Sequence, residues 1–134
     1  MGRFFPLPRA GDIVWCRFPD RRLSSPGPKP RPALVVDIGR LHDAPAIEVV
    51  YGTSRKLDRL YPGEFSIGDE DGDAFAASGL SYPTKFDTIR SVFLPYNDEW
   101  FAVPPGAPHG QTPKLGVLHP SLMRRAQAAF DAAR

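Results

Sequence analysis

One cysteine in the chain, Cys16, excludes an internal disulfide. No stretch approaches the roughly 20 consecutive apolar residues of a membrane helix. The leading MGRFFPLPRAGD lacks the apolar core of about 7–15 residues that marks a signal peptide. A cytoplasmic, reducing compartment without membrane attachment is therefore expected. The three histidines, His42, His109 and His119, stand far apart. There is no HExxH, CxxC, GxSxG, Walker A or dinucleotide glycine pattern. Metal, thiol, serine-triad and nucleotide-cofactor chemistry lose their footing, so neither metal nor cofactor is expected. What remains around the polar loops is Arg, Lys, Asp, Ser and Thr, a set suited to phosphate rather than carbonyl chemistry.

The chain has 134 residues, a length that suits one domain spanning 1–134. It carries 16 prolines and 12 glycines, short of the roughly 25–30% at which disorder becomes the default. Many turns, and hence a β-rich chain, are expected. The net charge of +2 hides an asymmetry. Residues 1–40 hold eight basic side chains against three acids, whereas residues 41–80 hold three against eight. A basic N-terminal third fits a phosphate-bearing partner; a solvated basic surface folded against an acidic one explains it equally well.

DIVWCRF (12–18), bounded by Gly11 and Pro19, reads as the first strand. PDRRLSSPGPKPRP (19–32) has no periodicity and five prolines, so it reads as a long, basic, exposed loop and the first place to look for binding. ALVVDI (33–38), nearly all apolar and therefore central, and AIEVVYGT (46–53) read as strands two and three of a hairpin-like pair. GDEDGDA (68–74) reads as an acidic turn at an exposed hairpin tip, between the short apolar pieces EFSI and AFAA. Its carboxylates alternate, but Gly72 is fourth from Asp69 and the twelfth position is Leu80, which is not the EF-hand spacing. TKFDTIRSVFL (84–94) reads as a further strand, and VPPGAPHGQTP (103–113) as a second Pro/Gly loop. In HPSLMRRAQAAFDAAR (119–134), Pro120 suits a first helical position, and Leu122, Ala126, Ala129 and Phe130 share one face. A small, bent β-sheet or barrel with a C-terminal helix packed on it is the expected architecture.

Three places bear on chemistry. Arg31 ends the basic loop just before strand two, where its guanidinium could clamp a phosphate through paired hydrogen bonds. Thr53 and Ser54 end strand three in the same way and could donate hydroxyl hydrogen bonds to that phosphate. An ion-paired strand-edge arginine and a turn-capping threonine are the plainer readings. Lys85 and Asp87 lie two apart on one strand face, either as a cation with a general base or as an ion pair. Arg90 reads as structural. Trp15, Tyr51 and Trp100 read either as base-stacking aromatics or as core.

The order GDIVWCRF, basic loop, KPRPALVV, VVYGTS, TKFDTIRSV and PKLGVLHPSLMRRAQAAF resembles the MazF/PemK family of toxin ribonucleases from bacterial toxin–antitoxin modules. The match runs over roughly 11–53 and 84–130. The resemblance implies a mainly β fold with minor α: an SH3-like, CcdB/PemK-like twisted β-barrel with a C-terminal helix. It also implies a homodimer framing an RNA groove and a cognate antitoxin protein. The implied reaction is metal-independent, sequence-selective cleavage of single-stranded RNA, in which a ribose 2′-OH attacks the adjacent phosphate and leaves a cyclic phosphate. By position, Arg31 matches the family's catalytic arginine and Thr53 its threonine. Lys85 and Asp87 fall where the PemK branch has a basic residue and a catalytic aspartate, Lys replacing the usual Arg. Arg21, Arg22, Lys29, Ser54 and Arg55 are the implied RNA contacts.

Two departures stand out. The loop 19–30 lacks the histidine used in the PemK branch, and segment 54–83 is acidic and long for the family. That segment could shield the groove, dock a basic partner or form a decorated hairpin. The competing function is a catalytically silent member of the same fold that binds nucleic acid or protein. A gyrase poison would follow from fold analogy alone.

Overall fold

The computed structural model describes residues 2–19 and 25–133. Six strands form one antiparallel sheet: β1 (Asp12–Cys16), β2 (Arg31–Leu41), β3 (Ala44–Thr53), β4 (Glu64–Ile67), β5 (Thr84–Pro95) and β6 (Lys114–Val117), in spatial order β4-β5-β3-β2-β1-β6. Two helices complete the fold, α1 (Asp73–Ser78) and α2 (Met123–Ala132). The mainly β class with a C-terminal helix is as the sequence indicates. The sheet stays open, β4 and β6 forming its two edges among the described residues. No helix of the described residues is long and apolar enough to cross a membrane.

The β2–β3 hairpin closes through His42 and Asp43, both at positive φ (51° and 63°). Two left-handed residues give a turn whose twist matches that of the flanking strands. β2 lies between β3 and β1, and Ala33, Leu34 and Val35 are buried in succession because both faces of the sheet are covered. On one face Ile13, Leu34, Val50, Phe65 and Phe86 pack with Ala74 of α1 and with Ala126 and Ala129 of α2. On the other, Val14, Ala33, Val35, Val49 and Leu94 pack with Phe5, Tyr96 and Phe101.

Three details differ from the sequence reading. The acidic stretch is no hairpin tip: Asp69–Asp71 make a 3-10 turn and Asp73–Ser78 make α1. Gly72 and Gly79, both at positive φ, bound this helix, and the alanines of DAFAAS favour it. α1 runs backbone against backbone along β6. A Cβ on Gly116 would overlap the main chain of Ala77 and Ser78, and one on Gly79 would overlap the Leu115 carbonyl. β6 itself, only four residues long, carries no period that a sequence reading could catch. Finally, β5 is not continuous in register. Val50 pairs with Ser91 but Tyr51 pairs with Asp87, so Thr88, Ile89 and Arg90 bulge from the ladder. Thr88 accounts for the bulge, its backbone N–H (2.8 Å) and Oγ1 (2.7 Å) both donating to the Gly63 carbonyl.

α2 is tied to the acidic turn by Arg125, whose two terminal nitrogens donate to the two carboxylate oxygens of Asp71 (3.0 and 2.9 Å), with a further bond to the Ser66 carbonyl (2.9 Å). The hydrogen bonds from Arg125 hold the Asp71 carboxyl below its usual range. A depressed carboxylate stabilises the fold above its ordinary pKa, and that contribution is lost as pH falls through the folded-state value. Asp71→Asn is expected to cost about 1 kcal/mol at pH 7, a fall of about 3–5 °C in the melting midpoint. The gap between variant and parent should close in acid. A gap that persists unchanged at low pH would contradict the pairing as its source.

Candidate functional site

At one end of the sheet β1 and β3 finish while β2, β5 and β6 begin. The strand pairings Cys16–Arg31, Thr53–Lys85 and Lys85–Ser66 lie there. Extending the Ala33–Tyr51 register by two residues sets Arg31 opposite Thr53. Arg31, Thr53 and Lys85 thus form a row across three strands, and Ala33, Tyr51, Asp87 and Glu64 form the next row on the same face.

A cavity of about 510 Å³ opens at this end, lined by Arg31, Thr53, Ser54, Trp15, Tyr82 and a group of prolines including Pro32, Pro104 and Pro108. Arg31 and Thr53, distant in sequence, are therefore brought together. Thr53 Oγ1 accepts the Arg55 N–H (3.2 Å), the turn-capping geometry. That bond occupies a lone pair and leaves the hydroxyl proton to donate. Ser54, Arg55 and Lys29 are exposed, and of the three Ser54 lines the cavity. Arg21 and Arg22 lie outside the described residues. Cys16, paired with Arg31 in the ladder, is fully buried, and burial pushes its thiol pKa far up. It is a neutral core group rather than a nucleophile.

Lys85 is the basic residue that the resemblance places beside Asp87. It is buried, and its Nζ donates to Glu64 Oε1 (3.0 Å) and to the Arg59 carbonyl (3.1 Å). Neither is Asp87 its partner, although the two share a face. Asp87 is half-buried, outside the cavity, and its Oδ1 accepts the Ile89 N–H at the start of the bulge (3.1 Å). The bulge also sets the Arg90 guanidinium over Tyr51, 4.1 Å from the ring centroid, with Phe18 edge-on to the same ring. Arg90 is thus structural, and Tyr51 has one face covered. Trp100 packs against the second core. Trp15 is half-buried and faces the cavity instead of the core.

The sequence reading missed Tyr82, an aromatic 70% exposed at the cavity. The prolines of 103–113 read in sequence only as a loop, yet Pro104, Pro105 and Pro108 line the cavity. The available signal was an aromatic inside the turn-rich run SGLSYP.

A solved endoribonuclease from a mycobacterial species has the same fold, with a TM-score of 0.56 at 18% sequence identity over 98% of this chain and 94% of that one. No curated protein matches the sequence. A family model described as a PemK-like, MazF-like toxin of type II toxin–antitoxin systems matches residues 9–92, a span that contains Arg31, Thr53, Lys85 and Asp87. The chain belongs to the PemK-like, MazF-like toxins of type II toxin–antitoxin systems.

Proposed function

We propose that this protein is an endoribonuclease that cleaves single-stranded RNA at the cavity holding Arg31 and Thr53. The observation that carries the reading is that Arg31 and Thr53, one bearing a cation and one a hydroxyl, are among the residues that line one concave site with the aromatics Trp15 and Tyr82. The scissile phosphate sits between them. The ribose 2′-OH attacks the adjacent phosphorus, the 5′-oxygen leaves, and the products are a cyclic phosphate and a 5′-hydroxyl. Because the nucleophile belongs to the substrate, the protein supplies alignment, proton transfer and charge stabilisation, which requires no metal. Arg31 spreads two hydrogen bonds over the phosphorane oxygens, and Thr53 donates a third. Asp87, in the neighbouring row, is the carboxylate assigned to proton transfer; the diagonal spacing from Thr53 is about 7–8 Å, a distance that the substrate and a water span.

A cognate antitoxin covering this groove, a homodimer and a cytoplasmic setting belong to the same reading, supported by family membership. Lys85, neutralised by Glu64, favours one competing reading: a silent member that binds nucleic acid or protein without cutting. Incubating the purified protein with long single-stranded RNA in EDTA separates the two. Discrete fragments ending in cyclic phosphate are expected. Intact RNA from folded protein would reject the ribonuclease in favour of the binding module.

A further inference from the structure

Tyr82 differs from the ring-bearing residues of the two cores. It is 70% exposed, yet it lines the cavity that holds Arg31. Its backbone is held from both sides. Leu80 is buried and donates its N–H to Ser78 Oγ (3.2 Å), while the buried Thr84 donates its hydroxyl to the Tyr82 carbonyl (2.9 Å). Upstream, Gly79 is seated against the Leu115 carbonyl. An exposed aromatic on a fixed backbone loses little entropy when it meets a ligand. The same cavity is lined by the apolar, stiff side chains of Trp15, Pro104, Pro105 and Pro108.

We propose that Tyr82 is a stacking platform for one unpaired nucleobase of the RNA strand, the base next to the phosphate held by Arg31, and that it contributes to the choice of cleavage position. The proposal rests on the ribonuclease reading above. A planar, apolar-faced group that adjoins a phosphate describes a nucleotide, and every base offers a π-face to an aromatic ring. A duplex cannot use this platform because its bases are stacked within the helix. The prolines narrow the space around the base without offering it hydrogen-bond donors. Discrimination therefore comes from shape together with the hydroxyls of Thr53 and Ser54.

The test compares the parent, Tyr82→Ala and Tyr82→Phe on the same long single-stranded RNA, mapping fragment ends and the rate at each site. Tyr82→Ala is expected to cut roughly 10- to 100-fold more slowly and with a relaxed preference at one base beside the cut. Tyr82→Phe, which keeps the ring face, should restore both rate and pattern toward the parent. A melting midpoint for Tyr82→Ala close to the parent's excludes unfolding as the cause, since the ring makes little of the core. Equal rates and an equal cleavage pattern in Tyr82→Ala would overturn the proposal. If the parent leaves RNA intact, the ribonuclease reading fails separately, and fluorescence anisotropy with a labelled single-stranded RNA then decides the platform. Weaker binding by Tyr82→Ala and restored binding by Tyr82→Phe support it; equal binding by all three overturns it.

Discussion

Arg31→Ala is expected to slow RNA cleavage by roughly 10²- to 10³-fold, the loss that follows removal of one preorganised charge stabiliser. The fold should survive. Arg31 is the first residue of β2 and half-buried at the mouth of the cavity, so its side chain lies at the end of the sheet and not within either core. The ladder partner Cys16 is held through the backbone, which alanine retains. Arg31→Lys separates charge from geometry. A lysine keeps the positive charge but cannot present two parallel N–H bonds to a phosphate, so partial activity at most is expected. Cleavage by Arg31→Ala at the parental rate, with circular dichroism and melting midpoint unchanged, would remove Arg31 from the catalytic assignment.

Lys85→Ala should act on stability instead. The side chains of Lys85 and Glu64 are only 6% and 11% exposed and lie 3.0 Å apart. Deleting one member leaves the other as a buried, unpaired charge, a loss of about 3–5 kcal/mol. For a chain of this size that is a fall of more than about 10 °C in the melting midpoint. The same ammonium bonds the Arg59 carbonyl and lies 5.8 Å from the Tyr61 ring centroid, so segment 54–63 should loosen first, visible as faster amide exchange there. The double variant Lys85→Met with Glu64→Gln should recover much of the loss, because no lone charge remains. A Lys85→Ala protein that melts like the parent but no longer cuts RNA would restore the catalytic role that the family resemblance implies.

The bulge in β5 shows why part of the site was hidden in the sequence. TKFDTIRSVFL has a uniform β composition, and nothing in its alternation announces that three residues leave the ladder. The cause is remote: Thr88 is satisfied by the Gly63 carbonyl, contributed by another part of the chain. Lys85 is a similar case. Its spacing from Asp87 correctly placed both on one face, but the partner is Glu64 on the neighbouring strand. Helix α1 was masked by the acidic turn before it, since six residues are too few for a helical period to be read.

By itself the sequence determined the mainly β class, the hairpin of β2 and β3, the central position of β2 and the apolar face of α2. Those features follow from local preference and from the period of apolar residues, both of which are written along the chain. It also singled out Arg31 and Thr53, because each stands where a strand meets a polar loop. Only the tertiary structure decided that these two share a cavity, that Lys85 is committed to Glu64, and that Tyr82 stands exposed beside Arg31. Each of those depends on which strands become neighbours and on where a buried charge finds its partner, and pairing between distant segments leaves no local period to read.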